Sequence, residues 1–474
     1  MKLSSVSSKS SSSTTVGSEF AHALLDREIR DWRTDYRNIF RELTVRELQT
    51  GGIELMQRGL SLLAESVVDA SGLPSTQAVA AGWDRPTEEI VTVVWRGAGA
   101  PVPLRDLTVD ATHWVNNRWA EPAVTSAVSS TPSLLQDQRL LIALAAGAEC
   151  APTKHWLAAG GSVVAVMRPN PERWKSLMSA AADGATLVIP IKRSALTSDR
   201  LPTSLEDIAA VAGVDMVNEA QSISGWLRTV VGEHSSEHGL LVAGFGYSPG
   251  ASHVTLQVIQ DALMMQVARC EKNVALTWLG TPTDSLLTPL AQFEERVAMH
   301  RERGAVTKSR DALLSGLRLG KLSSAPESAI HSIDGREYAM VDCSADMQGP
   351  NYLMAKRSQR WRAMVAAAAG IPVAYCVTPA ARTHSVLDHK ILHATYRGAP
   401  RFGVRPFEVE ETQQLTARLI VSHLSAPVSL SEPSAIYLER AVHGGLWRCT
   451  YNPQEIWKAA TVLGWPALLS NSFR

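Results

Sequence analysis

The chain has 474 residues, 45% of them hydrophobic, and its 46 Lys and Arg balance its 46 Asp and Glu. That length calls for two or three domains, or one α/β domain with large additions, and the neutral balance gives no electrostatic reason to expect nucleic acid or a membrane surface as partner. No apolar run is long enough to span a bilayer, and five scattered cysteines without a Cys-x-x-Cys spacing argue against a disulfide framework or structural zinc and for a reducing, cytoplasmic compartment.

Residues 1–18 are rich in serine and threonine, with Lys2 and Lys9 and no acid before Glu19, and read as a disordered tail. An organelle transit peptide shares that composition, although arginine is missing, so import stays open. Gly17-Ser18-Glu19-Phe20 has the look of a cloning-site scar. Residues 19–136 read as an N-terminal extension of helices and short strands. One helix is expected over 19–48, carrying Trp32, Tyr36 and Phe40 and broken by Gly51-Gly52. A second, over 54–70, has an apolar face of Leu55, Leu60, Leu62, Leu63 and Val67. Ile90-Val91-Thr92-Val93-Val94-Trp95 is an expected strand inside this extension.

From Arg139 the pattern changes. Apolar runs at 140–146, 163–166, 186–190, 239–243 and 274–279 read as strands, with helices over 152–159, 171–182 and 253–270 between them. Continuous apolar strands separated by helices indicate a doubly wound parallel sheet covered on both faces. Residues 289–334 form a polar, partly helical insertion. A strand over 338–344, a helix over 353–369 and a last strand over 373–377 then resume the alternation, followed by a helix over about 409–424. The α/β domain is placed at 137–450, and 451–474 is read as a C-terminal tail.

Tyr352-Leu353-Met354-Ala355-Lys356 opens one of those helices, just after the strand that ends in Ser344. Four residues span about one helical turn, so phenol and ammonium share a face. A lysine there lowers a phenol pKa and makes the tyrosine a proton donor or acceptor near neutral pH. The plain alternative is a packed tyrosine and a solvated lysine.

In this context the chain resembles a strongly diverged short-chain dehydrogenase/reductase over roughly 139–450. Four landmarks in the family's order carry the resemblance: the strand–loop–helix with Gly147, the strand ending Ala243-Gly244, Ser344 followed by Tyr352 and Lys356, and Pro379-Ala380-Ala381-Arg382-Thr383 after the last strand. The resemblance implies a Rossmann-like fold, with Tyr352 as general acid/base. Lys356 would tune it and hold the nicotinamide ribose, and Ser344 would hold a substrate carbonyl oxygen. Gly147, Gly244, Arg168 and Thr383 would line the cofactor site. No acid follows the second strand. Arg168 stands there instead and suits a 2′-phosphate, which favours NADP(H) over NAD(H). Ala151 and Thr153 replace the second and third glycines of the phosphate loop, and Glu149 adds a negative charge to it.

The resulting expectation is an NADP(H)-dependent oxidoreductase that interconverts a small-molecule carbonyl and an alcohol, paired as a homodimer or homotetramer like its family. The alternative is a reductase-derived scaffold without catalysis, used for assembly or ligand sensing. Two features are read as structural before functional: Asp284 as a loop-fixing Asx-turn, and Cys150 as a packing residue. The thirteen histidines show no metal-ligand spacing, so no metal is expected.

Overall fold

The computed structural model describes residues 2–3, 12–26, 31–69, 71–85, 88–130, 139–198, 200–234, 238–427 and 434–471. Of the segment read as a disordered tail, residues 1 and 4–11 lie outside the described residues, and a helix, Ser12–Leu25, starts within it.

Seven strands form the central sheet, numbered here in chain order: β1 (Ile90–Arg96), β2 (Leu140–Leu144), β3 (Val163–Val166), β4 (Thr186–Lys192), β5 (Leu240–Gly244), β6 (Val274–Gly280) and β7 (Val373–Val377). Their spatial order is β7-β6-β5-β2-β3-β4-β1. All neighbours are parallel except β1, which runs antiparallel to β4. The apolar runs of β2 and β5 are buried at every position because helices cover both faces. Alternate side chains feed different layers: Leu140, Ile142 and Leu144 join one apolar cluster, Leu141 and Ala143 the other. The chain therefore folds as an α/β protein around a mostly parallel sheet. Strand order reverses between β2 and β5, which opens a crevice beyond their C-terminal ends.

Two placements differ from the sequence expectation. The strand expected inside the N-terminal extension is β1, whose Ile90 pairs with Lys192 and whose Arg96 pairs with Thr186, so the extension is stitched to the sheet edge. The strand before Ser344 does not resume the central alternation. Arg336–Asp342 pairs antiparallel with Ser285–Pro289 and Ile330–Ile333 in a separate three-stranded sheet. Both edges of β6 are already taken by β5 and β7. The chain leaving β6 therefore returns alongside its own exit strand, Asp342 opposite Ser285. The excursion, with its helices Leu290–Glu302 and Ala305–Gly316, begins at Ser285 rather than 289.

The N-terminal helices Trp32–Arg46 and Gly52–Ser66 lie against the helix Gly349–Ala368 that carries Tyr352. Gly59 approaches it so closely that a Cβ would sit 2.3 Å from the Trp361 ring, on which Phe20 also stacks at 5.8 Å. At the other end of the chain, helix Trp457–Asn471 packs backbone to backbone on Lys390–Gly398, and a Cβ on Gly464 would meet the Ala394 carbonyl at 1.9 Å. Residues 451–474, read as a tail, thus supply a packed helix. Among the described residues no helix is long and apolar enough to cross a membrane.

Candidate active site

A cleft of about 600 Å³ opens beyond the C-terminal ends of the parallel strands, a size suited to a cofactor or small ligand. Five of the six parallel strands contribute the loop that follows them: Glu149 and Cys150 after β2, Arg168 after β3, Tyr247 after β5, Thr281 and Thr283 after β6, and Thr378 to Ala381 after β7. The helix Gly349–Ala368 enters from one side. Pro350 sits in its first turn, where its missing N–H costs nothing.

Tyr352 and Lys356 both line the cleft. The Tyr352 hydroxyl donates to Thr281 Oγ1 at 3.0 Å, and Thr281 Oγ1 lies 2.8 Å from Thr283 Oγ1. Lys356 Nζ donates to the Leu279 carbonyl at 2.9 Å and to Gln359 Oε1 at 3.1 Å. Gln359 is itself anchored, its amide donating to Gln257 Oε1 at 2.7 Å. Strand β6 and the helix are thereby joined at the turn that carries Tyr352 and Lys356. Burial pushes the Tyr352 phenol up to about 12, and the Thr281 and Thr283 hydroxyls pull it back only in part. Burial also brings the Lys356 ammonium down to about 8, against which Cys150 acts weakly. Unliganded, Tyr352 is a neutral proton donor, unlike the lowered phenol expected from the spacing. Desolvation of both groups outweighs their proximity.

The other residues singled out in the sequence fall in different places. Arg168 lines the cleft, exposed, at the end of β3. Thr383 also lines it, at the N-cap position of His384–Asp388, where its hydroxyl lies 3.1 Å from Ser385 Oγ and makes no capping bond. Gly147 and Gly244 are packing glycines outside the lining: a Cβ would meet Met167 Sδ at 2.5 Å and Met264 Sδ at 3.0 Å, respectively. Ser344 is buried outside the cleft lining, donating to Asp342 Oδ1 at 2.6 Å and accepting from Gln454 Nε2 at 3.3 Å. The hydroxyl that meets Tyr352 comes instead from Thr281. Cys150 is a neutral thiol, raised to about 11 by burial and by Glu149.

Behind the cleft, the residue after Lys356 anchors a buried ionic cluster. Arg357 donates to Asp284 Oδ1 at 2.6 Å and to Glu47 Oε1 at 2.5 Å, and to the hydroxyls of Thr44 and Ser285 at 3.0 and 2.9 Å. Arg360 donates to Glu47 Oε2 at 2.8 Å, and Trp361 Nε1 to Glu47 Oε1 at 2.6 Å. Burial opposes the charge on Asp284, but Arg357 and Arg360 overcome it and hold the carboxyl below its usual range. Asp284 therefore does more than fix a turn: it ties the Thr281–Thr283 loop to the Tyr352 helix, and Glu47 ties both to the N-terminal extension.

The dinucleotide implied by the resemblance can be tested against these residues. Arg168 and Arg173 supply a cationic rim after β3 that suits a phosphate, and Lys356 also lines the cleft. The loop after β2 is held from three sides. Arg173 donates to the Gly147 carbonyl at 3.0 Å, Gln413 donates to the Glu149 carbonyl, and the Glu149 carboxylate accepts from the His384 amide at 2.8 Å. That last bond occupies one oxygen of the carboxylate, Oε2. Arg168, Arg173 and Lys356 are cations of the lining that would hold such a dinucleotide. Among the described residues no group of three or more His, Cys, Asp or Glu is placed to hold a metal. No protein-family model and no curated protein matches the chain.

Proposed function

We propose that this protein is an NADP(H)-dependent oxidoreductase that interconverts a carbonyl and an alcohol in the cleft over β5 and β6. The observation that carries this reading is the contact of the Tyr352 hydroxyl with Thr281, one turn from Lys356, at the C-terminal edge of a parallel sheet. The strand order supports a Rossmann-like fold: counted by chain order from β4 to β7, the parallel strands run 3-2-1-4-5-6. Arg168 and Arg173 support a phosphorylated adenosine ribose.

Bound NADPH would supply the hydride. Tyr352 turns its O–H from Thr281 to the substrate oxygen and protonates it, and the Thr281 hydroxyl braces the same oxygen. The phenolate left behind is stabilised by the Lys356 ammonium one turn away and regains its proton from solvent. Leu279 and Gln359 hold that ammonium in place beforehand. The rival reading, a scaffold without catalysis, draws its support from Glu149 standing in the phosphate loop.

The test is NADPH consumption with a panel of simple ketones and aldehydes. Alcohol should form in step with NADPH loss. Thr281→Val should slow it about 10- to 100-fold, the effect of removing one hydrogen bond at the reacting oxygen, while Ser344→Ala should change it less than about twofold, because that hydroxyl serves Asp342. A folded protein that consumes no NADPH across the panel overturns the proposal. Loss of activity in Ser344→Ala with Thr281→Val unaffected would move the site.

A further inference from the structure

His253 occupies the first turn of the helix Ala251–Cys270, directly behind Tyr352. It is only 1% exposed, yet it lines the cleft. Its ring centroid lies 5.5 Å from that of Tyr352 and 5.0 Å from that of Tyr247. Neither ring nitrogen has a hydrogen-bond partner of ordinary geometry. Burial, and next the Lys356 charge, bring its pKa down to about 3, while the Gly246 backbone pulls weakly the other way. The ring is therefore a neutral imidazole with one N–H donor and one lone-pair acceptor, standing in the cleft wall beside Tyr352. His423 is also buried and unpaired, but it lies within the helix Val409–Ser425 and outside the cleft lining. Position beside the proton donor is what distinguishes His253.

Resting on the reading of Tyr352 as the group that holds the reacting oxygen, we infer that His253 selects the substrate by hydrogen-bonding a hydroxyl beside the reacting carbonyl, which makes the substrate class α-hydroxy carbonyl compounds. The rings of His253 and Tyr352 are in contact, so groups held by the two sit close together on one small molecule. A hydroxyl satisfies the imidazole as donor or acceptor, whichever nitrogen carries the proton. The remaining walls, Phe245, Tyr247, Tyr396 and Trp457, offer aromatic surface for an apolar body attached to that pair. A ligand without the hydroxyl leaves the imidazole unpaired in a buried site, and such sites reject the lacking analogue strongly.

The experiment compares the binding of 2-hydroxyacetophenone and acetophenone to the full chain by calorimetry, independently of turnover. The wild type should prefer the hydroxylated ligand by about 10- to 100-fold. His253→Phe should bind acetophenone as the wild type does and lose the preference. His253→Asn, which keeps a donor and an acceptor, should retain part of it and serves if the phenylalanine variant does not fold. A wild type that binds neither ligand, or both alike, overturns the inference, as does a loss in His253→Phe equal for the two ligands. If the preference is present while NADPH is never consumed, the oxidoreductase reading fails and the role of His253 stands.

Discussion

Tyr352→Phe should lower the rate of carbonyl reduction by about 10²- to 10⁴-fold, the range for losing a positioned general acid, while leaving NADPH binding within about twofold. The substitution removes one oxygen, which in the unliganded protein bonds the Thr281 hydroxyl. The pH dependence carries a further signature. Burial holds the Tyr352 phenol near 12, so it stays protonated throughout the working range and imposes no inflection of its own below that. Lys356, brought down to about 8 by burial, is charged below that pH and neutral above it. The phenolate formed during proton transfer then loses its counter-charge. Reduction should run at a constant rate from about pH 6 toward 8 and fall above it. A pH–rate profile still rising through pH 9 would separate Lys356 from the chemistry. Tyr352→Phe at wild-type rate would separate the tyrosine.

Glu47→Ala should lower the free energy of unfolding by about 3–5 kcal/mol, the cost of removing one partner from a buried ion pair. Glu47 is fully buried and accepts from Arg357, Arg360 and Trp361. Two arginines and two carboxylates, Glu47 and Asp284, make the cluster neutral. Without Glu47 one guanidinium charge stays buried with no compensating anion. Glu47→Gln should lose most of the same stability, because the amide keeps the shape and not the charge. The contrasting control is Asp346→Ala. Asp346 pairs with Arg37 at the surface, its side chain 75% exposed, and exposed pairs are worth about 0–1 kcal/mol. Urea denaturation of the three variants checks the ordering. Equal midpoints for Glu47→Ala and Asp346→Ala would show that the cluster does not hold the N-terminal helices to the Tyr352 helix.

The parallel strands were legible because a strand buried on both faces must be apolar at every position, as in Leu140–Leu144 and Leu240–Gly244. The Tyr352–Lys356 pair was legible because one helical turn is a local rule. What the sequence withheld was pairing at a distance. Ile90–Arg96 looks like any edge strand, and nothing near it names Thr186–Lys192 as its partner. Ser344 precedes Tyr352 by only a few residues and so drew attention. The hydroxyl that reaches Tyr352 comes from Thr281, 71 positions earlier, because β6 and not Arg336–Asp342 is the strand beside that helix. Thr281-Pro282-Thr283 did carry a signal in following the fifth strand of the alternation. Glu47 and Arg357 are 310 positions apart, and no local pattern marks either as half of a pair. His253 gave no signal, since one histidine near a helix start is read as ordinary until its neighbours are known.

The most direct test needs no substrate: titrate the folded protein with NADPH and follow the nicotinamide fluorescence. The account predicts a saturable change, weakened at least about 10-fold by Arg168→Glu, which reverses the charge at the phosphate rim, and strengthened about 3- to 5-fold by Glu149→Gln, which removes a carboxylate from the phosphate loop at the modest value of a partly solvated charge. A folded wild-type protein that leaves the fluorescence unchanged at high concentration would contradict the account, as would binding indifferent to both substitutions.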